Sequence, residues 1–426
     1  MNHKNGMTRM ARMTHIALTL VGCTAVAATI AGCEKKNATP DAPTSTGTAP
    51  AASAPAASTP AATPAGAPTA APSAPTTPAS SSSAAPAGPA PSFSLAWSEY
   101  PSWSVFGVAS DQGLIDGAKG KLGSIERKYN VDIELRQADY DACLQMYGAA
   151  AVDAACITNM DALNPALSRP SVLILPTSTS NGGDAMIAVG VTDIKQLKKP
   201  RAVYGLSKSV SEYAFVRGLQ KLGEDPANYE FRNMDPGAAA QAMQTKQSNI
   251  EAIMVWNPFV LQTLKMRADA KVIFDSSLIP GEIIDAVVMS RDSLGKPGGE
   301  AFAKAVAEAF YEVCKMMADP KTADSTFVAL GSKFSSLDAT AMRIVCTQTE
   351  FYSTPDKGLA LVNGAAMKST MTTVVEFCVT NDIVPKAPSI VFGSYKDAGA
   401  LKADLVIDPS FMEAVKSGNA SGSNQK

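Results

Sequence analysis

From residue 93 to residue 289 the chain repeats one pattern, a short apolar run of β-forming residues followed by a stretch with helical spacing. The runs are 93–97, 131–135, 153–157, 171–176 and 184–190, then 201–205, 229–233, 250–256, 271–274 and 285–289. Strand and helix in alternation predict an α/β fold with largely parallel sheets. From about 299 to 381 the pattern turns mostly helical, and 300–318 (EAFAKAVAEAFYEVCKMMA) repeats apolar residues every three or four positions. One or two α/β lobes are therefore expected, with a helical segment packed on them.

What precedes this part reads as an export signal and a tether. Lys4, Arg9 and Arg12 form a positive start, and 16–32 is an uncharged apolar run. It is shorter than the roughly 20 residues of a spanning helix. It ends in Ile30-Ala31-Gly32-Cys33, which looks like a bacterial lipobox, in which the cysteine is acylated and becomes the new N-terminus. Leu20-Val21-Gly22-Cys23 matches the short pattern too, but cleavage there leaves an apolar region of minimal length. The expectation is a signal peptide over 1–32 and a lipid anchor on Cys33, with an uncleaved anchor as the other reading. Residues 34–91 are almost wholly Ala, Pro, Ser, Thr and Gly, with no aromatic residue and only Asp41 charged after Lys36. Such a segment buries too little apolar surface to offset chain entropy and is expected to be disordered. Its reach is roughly 45 Å as a coil and about 180 Å as extended polyproline.

The two histidines, His3 and His15, both fall in the signal. Once it is removed, no Ser-His-Asp or Cys-His pair and no histidine metal ligand is possible. The formal charge of −2 gives no electrostatic reason to bind nucleic acid. After Cys33 come Cys143, Cys156, Cys314, Cys346 and Cys378, with no CxxC spacing. Cys346 and Cys378 are the one pair considered for a disulfide, and buried free thiols are the competing reading.

Several helix starts are well marked. Ser209 and Glu212 fit a capping box, with Gly223 at the expected stop, and Thr158 with Asp161 fits another. Asp235-Pro236 and Asn257-Pro258 join a cap residue to proline at the first helical position. Each start follows the C-terminal end of an expected strand, where open α/β sheets bind ligands.

At these positions the chain resembles substrate-binding proteins of ABC importers in the nitrate/sulfonate/taurine group. Within it the chain is most similar to urea-type binding proteins associated with urea carboxylase systems. The resemblance rests on Thr158-Asn159-Met160-Asp161-Ala162-Leu163, Ser180-Asn181-Gly182-Gly183-Asp184, Ser209-Val210-Ser211-Glu212-Tyr213 and Val255-Trp256-Asn257-Pro258. It continues through 275–285 (DSSLIPGEIID) and Phe351-Tyr352-Ser353-Thr354-Pro355. One departure is Glu212, where the family pattern has histidine. The resemblance implies a two-lobed periplasmic-binding-protein fold with a two-stranded hinge and a helical C-terminal segment. Lobe 1 would combine 92–187 with 288–416, lobe 2 would be 188–287, and 417–426 a flexible tail.

The residues expected at the solute are Tyr100, Trp103, Asn159, Asp161, Ser180, Asn181, Asp184, Ser209, Ser211, Tyr213, Trp256 and Glu282. Each has a plainer reading. Trp103 and Trp256 serve equally as core, Asp161 as a helix cap, Ser180-Asn181-Gly182-Gly183 as a turn, and Glu282 as a solvated charge. The candidate segments are acidic (Glu99, Asp161, Asp184, Glu212, Glu282, Asp285), and Lys208 is the nearest base. An oxyanion site would more naturally use arginine. Carboxylates with aromatic rings suit a cationic or amide-like solute such as guanidine or urea.

Three functional classes remain: an importer's binding protein, a lipid-anchored module reporting to a sensor, and an enzyme on the same fold. The pyrimidine-forming thiamine biosynthesis proteins, similar in fold, rely on histidine and a cysteine-rich motif, and this chain has neither. The expectation is a monomeric, non-enzymatic binding protein with no cofactor and no metal. Its expected partners are a small solute, an ABC permease with its ATPase, and a membrane held through the lipid; taurine, sulfonate or nitrate is the alternative solute set.

Overall fold

A computed structural model describes residues 89–247 and 249–423, with side chains to 418. The expected signal peptide, Cys33 and the tether up to residue 88 lie outside the described residues. All ten runs read as strands are strands: β1 (Ser92–Trp97), β2 (Asp132–Gln137), β3 (Ala154–Thr158), β4 (Ser171–Ser180), β5 (Asp184–Val189), β6 (Ala202–Gly205), β7 (Glu230–Asn233), β8 (Ala252–Trp256), β9 (Ala270–Asp275) and β10 (Ile284–Ser290). Three short strands went unread: β11 (Thr349–Phe351), β12 (Ile390–Phe392) and β13 (Leu405–Ile407).

The strands form two sheets. One runs β12-β13-β4-β10-β3-β1-β2, with β11 also on β4; the other runs β7-β6-β8-β5-β9. Both are mixed, which corrects the expectation of largely parallel sheets. β10 is antiparallel to β3 and β4, and β5 is antiparallel to β8 and β9. The cause is the path of the chain. It leaves the first sheet along β4, enters the second along β5, exits it along β9 and comes home along β10. The outgoing and returning strands run side by side in opposite directions, so β4 pairs antiparallel with β10 and β5 with β9.

β4 is buried along its whole length, as a strand covered on both faces must be. The helix Gly299–Ala318 supplies part of that cover, burying Phe302, Val306, Phe310 and Val313 as one stripe. The helix Ser410–Ser423 also packs on this sheet, burying Phe411, Met412 and Val415, and its backbone covers 417–423 of the stretch read as a flexible tail.

The two crossings are stitched together by hydroxyl groups. Ser180 Oγ and Ser276 Oγ are 2.8 Å apart, and the Gly182 N–H donates to Ser276 Oγ at 2.8 Å. Thr179 Oγ1 donates to the Ile283 carbonyl at 2.7 Å. β11 lies beside the crossing, pairing Thr349 with Ser180. Cys143, Cys156, Cys314, Cys346 and Cys378 are all free thiols, so Cys346 and Cys378 are not bridged.

Candidate functional site

Between the sheets lies a cavity of about 10 Å3, counted as space open to the centre of a water molecule. That is about the room of one water molecule, so any larger solute needs the walls to part. Four aromatic rings wall it: Tyr100 and Trp103 from the loop after β1, Tyr140 from the first turn after β2, and Trp256 from the end of β8. Tyr100 and Trp103 are 4.8 Å apart between centroids; Trp103 and Tyr140 are 5.5 Å apart and within 9° of parallel. Tyr140 meets Trp256 edge-on at 5.5 Å. Thr158, Val210 and Ile283 complete the apolar wall around two carboxylates, Asp184 and Asp285.

Those carboxylates determine the chemistry. Asp184 opens β5 and Asp285 is the second residue of β10, so one sits at each crossing. Both are buried, neither is in an ion pair among the described residues, and no Lys or Arg lines the cavity. Asp285 accepts a 2.5 Å hydrogen bond from Ser178, which contacts Ser102 at 2.8 Å; Ser102 in turn contacts Thr177 at 2.9 Å. Burial pushes the Asp184 carboxyl up to about 7, with the nearby Asp161 adding to the shift against a bond from Ser180. Burial, then Asp184, raises Asp285 well above the usual carboxylate range.

Two further polar groups are unmatched. Trp103 Nε1 is buried without a hydrogen-bond partner. Tyr100 Oη is buried without a hydrogen-bond partner, and burial, then the neighbouring Asp285 and Asp184, push its pKa well above the usual phenol value and keep it protonated. A second opening, of about 290 Å3, shares Tyr140 and Trp256 with the cavity and carries Glu99, Asp139, Asp141 and Asp235.

Of the residues singled out in the sequence, the fold brings Tyr100, Trp103, Asp184 and Trp256 together at the cavity wall. Asp161 stands behind Tyr140, whose Oη donates to it at 2.6 Å. Asn159 stitches the return crossing, donating to the Glu282 carbonyl at 3.1 Å and accepting from the Ile284 N–H at 3.0 Å. Ser180 is spent on Ser276, and Asn181 is exposed. Ser209 caps the helix Val210–Lys221, and Ser211 lies in its first turn. Tyr213 donates to Glu282, which is ion-paired with Arg217.

Three capping expectations changed. Ser209 caps its helix through the Ser211 N–H, but Glu212 accepts from the Lys208 N–H, so the two form no reciprocal capping box. Thr158 and Asp161 do exchange hydrogen bonds, but they close a turn ahead of the short helix Leu163–Ala166. Asn257 caps nothing; its Nδ2 donates to Gln348 Oε1 at 2.9 Å.

Tyr140, Thr158, Val210, Ile283 and Asp285 were not singled out as contacts. A signal existed for Tyr140, which follows Asp139 just past the C-terminal end of β2, the location that drew attention to the other loops. Asp285 had been counted only as one of the acids.

No family model matches the chain, and no curated protein matches it. Solved structures do. The periplasmic aliphatic sulphonate binding protein SsuA from Escherichia coli aligns at 14% identity over 70% of this chain and 89% of that one, TM-score 0.52. The alkanesulfonate-binding protein SsuA from Xanthomonas axonopodis pv. citri, bound to MOPS, aligns at 13% over 71% and 96%, TM-score 0.55. The ligand-binding component of an ABC-type import system from Staphylococcus aureus, with zinc bound, aligns at 10% over 76% and 99%, TM-score 0.54. The likeness at these identities is one of fold: the architecture is that of the periplasmic binding proteins. Organic sulfonates and a metal ion are both held on it in these neighbours, so the fold leaves the solute open.

Proposed function

We propose that this chain is an extracytoplasmic solute-binding protein that captures a small planar nitrogen cation of the guanidinium or amidinium type and delivers it to an ABC importer. One observation carries the reading. Asp184 and Asp285 are buried, free of any ion pair among the described residues, and enclosed by four aromatic rings in a cavity with no basic residue in its wall. A buried charge without a partner is costly. A cation offering several N–H donors supplies that partner, and the rings favour its flat face. A sulfonate or nitrate would bring its negative charge against two acidic side chains, with no basic residue in the wall to receive it. A bare metal ion fits less well, because no group of three or more His, Cys, Asp or Glu among the described residues has metal-holding spacing.

Urea is the second reading, favoured by Trp103 Nε1. That buried donor suits a carbonyl oxygen, which urea has and guanidinium lacks.

The remaining assignments belong to the same proposal. Capture works by closing two lobes around the solute, with the lobe limits near 187 and 287 moved to the crossings at 181–183 and 276–283. Cys33 carries the lipid, the mature chain works as a monomer outside the cytoplasm, and no catalytic step is required.

Thermal unfolding of the purified protein against guanidinium, acetamidine, urea, taurine, an alkyl sulfonate and nitrate tests this. A solute at about 100 times its Kd adds roughly 2.7 kcal/mol, which moves the midpoint by several degrees. A shift with guanidinium or acetamidine is expected. A shift confined to urea selects the second reading, and one confined to sulfonate or nitrate overturns both.

A further inference from the structure

Asp161 is buried beside the cavity but is not part of its wall. Its Oδ2 accepts from Tyr140 Oη at 2.6 Å and from Thr158 Oγ1 at 2.9 Å. The Thr158 N–H donates to Tyr140 Oη at 3.1 Å, so the phenol is held from two sides. A phenol with both its donor and its acceptor engaged has no freedom to rotate away. The ring it anchors is the one that stacks on Trp103 and meets Trp256 edge-on. Trp103 comes from the first sheet's side and Trp256 from the second's, so Tyr140 is where the two halves of the aromatic wall join.

Asp161 also faces the second sheet's side directly. The helix Val210–Lys221 begins there, with Val210 in the cavity wall. Ser209 satisfies the N–H of Ser211, leaving the Val210 N–H among the free donors of the first turn. Asp161 and Lys208, just ahead of that helix, line one opening of about 390 Å3, and the Val210 N–H favours the ionised form of Asp161 against burial. A carboxylate at the positive end of a helix is a favourable contact in its own right.

We infer that Asp161 is a positioning residue for the proposed cation site: it fixes Tyr140 in the aromatic wall and faces the first turn of the helix Val210–Lys221, so that completing the wall and closing the two sheets on each other are one event. This rests on the cation reading given above. It assigns Asp161 no contact with the solute, unlike Asp184 and Asp285.

The test is a double-mutant cycle on the mature protein, using guanidinium chloride as the probe and tryptophan fluorescence in stopped flow. Tyr140→Phe keeps the ring and removes only the hydroxyl. Asp161→Asn keeps the shape and removes the charge. Each is expected to speed dissociation roughly 10- to 100-fold and to leave association within about threefold. Because both act on the one Tyr140–Asp161 hydrogen bond, which Asn weakens and Phe removes, the double variant should dissociate more slowly than the product of the two single effects would give. A protein that is merely destabilised would show a lower melting point without that split between the two rates.

Wild-type dissociation in Tyr140→Phe overturns the inference, and that variant suffices if Asp161→Asn does not fold. Fully additive effects overturn it as well, since Asp161 would then act independently of Tyr140. If the wild type itself responds to no guanidinium, amidinium or urea, the cation reading fails and this inference falls with it.

Discussion

Arg217 holds both carboxylate oxygens of Glu282, with Nε at 2.8 Å and Nη2 at 2.9 Å, while Tyr213 donates to the same carboxylate at 2.6 Å. The pair ties the helix Val210–Lys221 to the return crossing, and it commits Glu282 to structure. Burial alone would raise the Glu282 carboxyl; the bonds from Arg217 and Tyr213 outweigh burial and hold it below its usual value. Its contribution is therefore complete above the unfolded pKa and disappears as pH falls through the lower folded value. Glu282→Gln should cost about 1–3 kcal/mol of stability and change guanidinium affinity by less than about threefold. Denaturant melts and calorimetry on one preparation check both; a large affinity loss at unchanged stability would return Glu282 to the solute.

The two cavity carboxylates should behave in the opposite way. Asp184→Asn is expected to lower affinity for guanidinium by roughly 30- to 1,000-fold, the range for removing one partner of a buried charge pair. The unliganded protein should melt at the same temperature or higher, because an uncompensated buried charge has been removed. Trp103→Leu should lower affinity roughly 5- to 30-fold through loss of the ring face. Titration calorimetry decides both.

Burial raises Asp184 to about 7 and Asp161 to about 6, and holds Asp285 well above the usual carboxylate range. Between the unfolded carboxylate value and these folded values, the folded state binds more protons than the unfolded state. Stability of the unliganded protein should therefore fall as pH rises from about 4 to 7. A bound cation favours the ionised carboxylates, so affinity should rise over the same range with protons released on binding. Calorimetry in buffers of different ionisation enthalpy counts those protons; zero release at pH 6 would contradict the assignment.

The acidic opening beside the cavity should act on rates. Asp139 is exposed and makes no cap bond to the helix that follows it. Asp139→Asn should slow guanidinium association about two- to threefold at low salt, leave dissociation unchanged, and lose its effect as salt approaches 1 M. Stopped-flow series at two ionic strengths measure this.

Gly218 sits where the helix Val210–Lys221 presses on β9. A Cβ there would fall 2.2 Å from the Phe274 ring. Gly218→Ala should gain helix propensity and still destabilise by about 1–3 kcal/mol through the forced ring movement. A melt at or above the wild-type temperature would show that Phe274 gives way freely.

Much of this molecule is legible one element at a time. The ten longer strands follow from apolar β-rich runs, and the caps at Ser209 and Asp235 from local residue order. β11, β12 and β13 are three residues each, too short to carry a periodic signal. β11 and β13 form because β4 presents an edge to them, and β12 because β13 does. Asn257 looked like a cap from its neighbours, yet its partner Gln348 lies 91 positions away.

The sequence by itself determined the order of strands and helices, the acidic and aromatic character of the loops between them, and the absence of histidine beyond residue 15. These depend on residues a few positions apart, where propensity and periodicity act. The tertiary structure decided which acids are paired and which are not. Glu282 meets Arg217, 65 positions upstream. Asp184 and Asp285 come from different crossings to face one cavity with no base beside them. Burial and pairing are set only when distant segments pack, so the acids separate into ion-paired and cavity-lining groups in the folded chain alone.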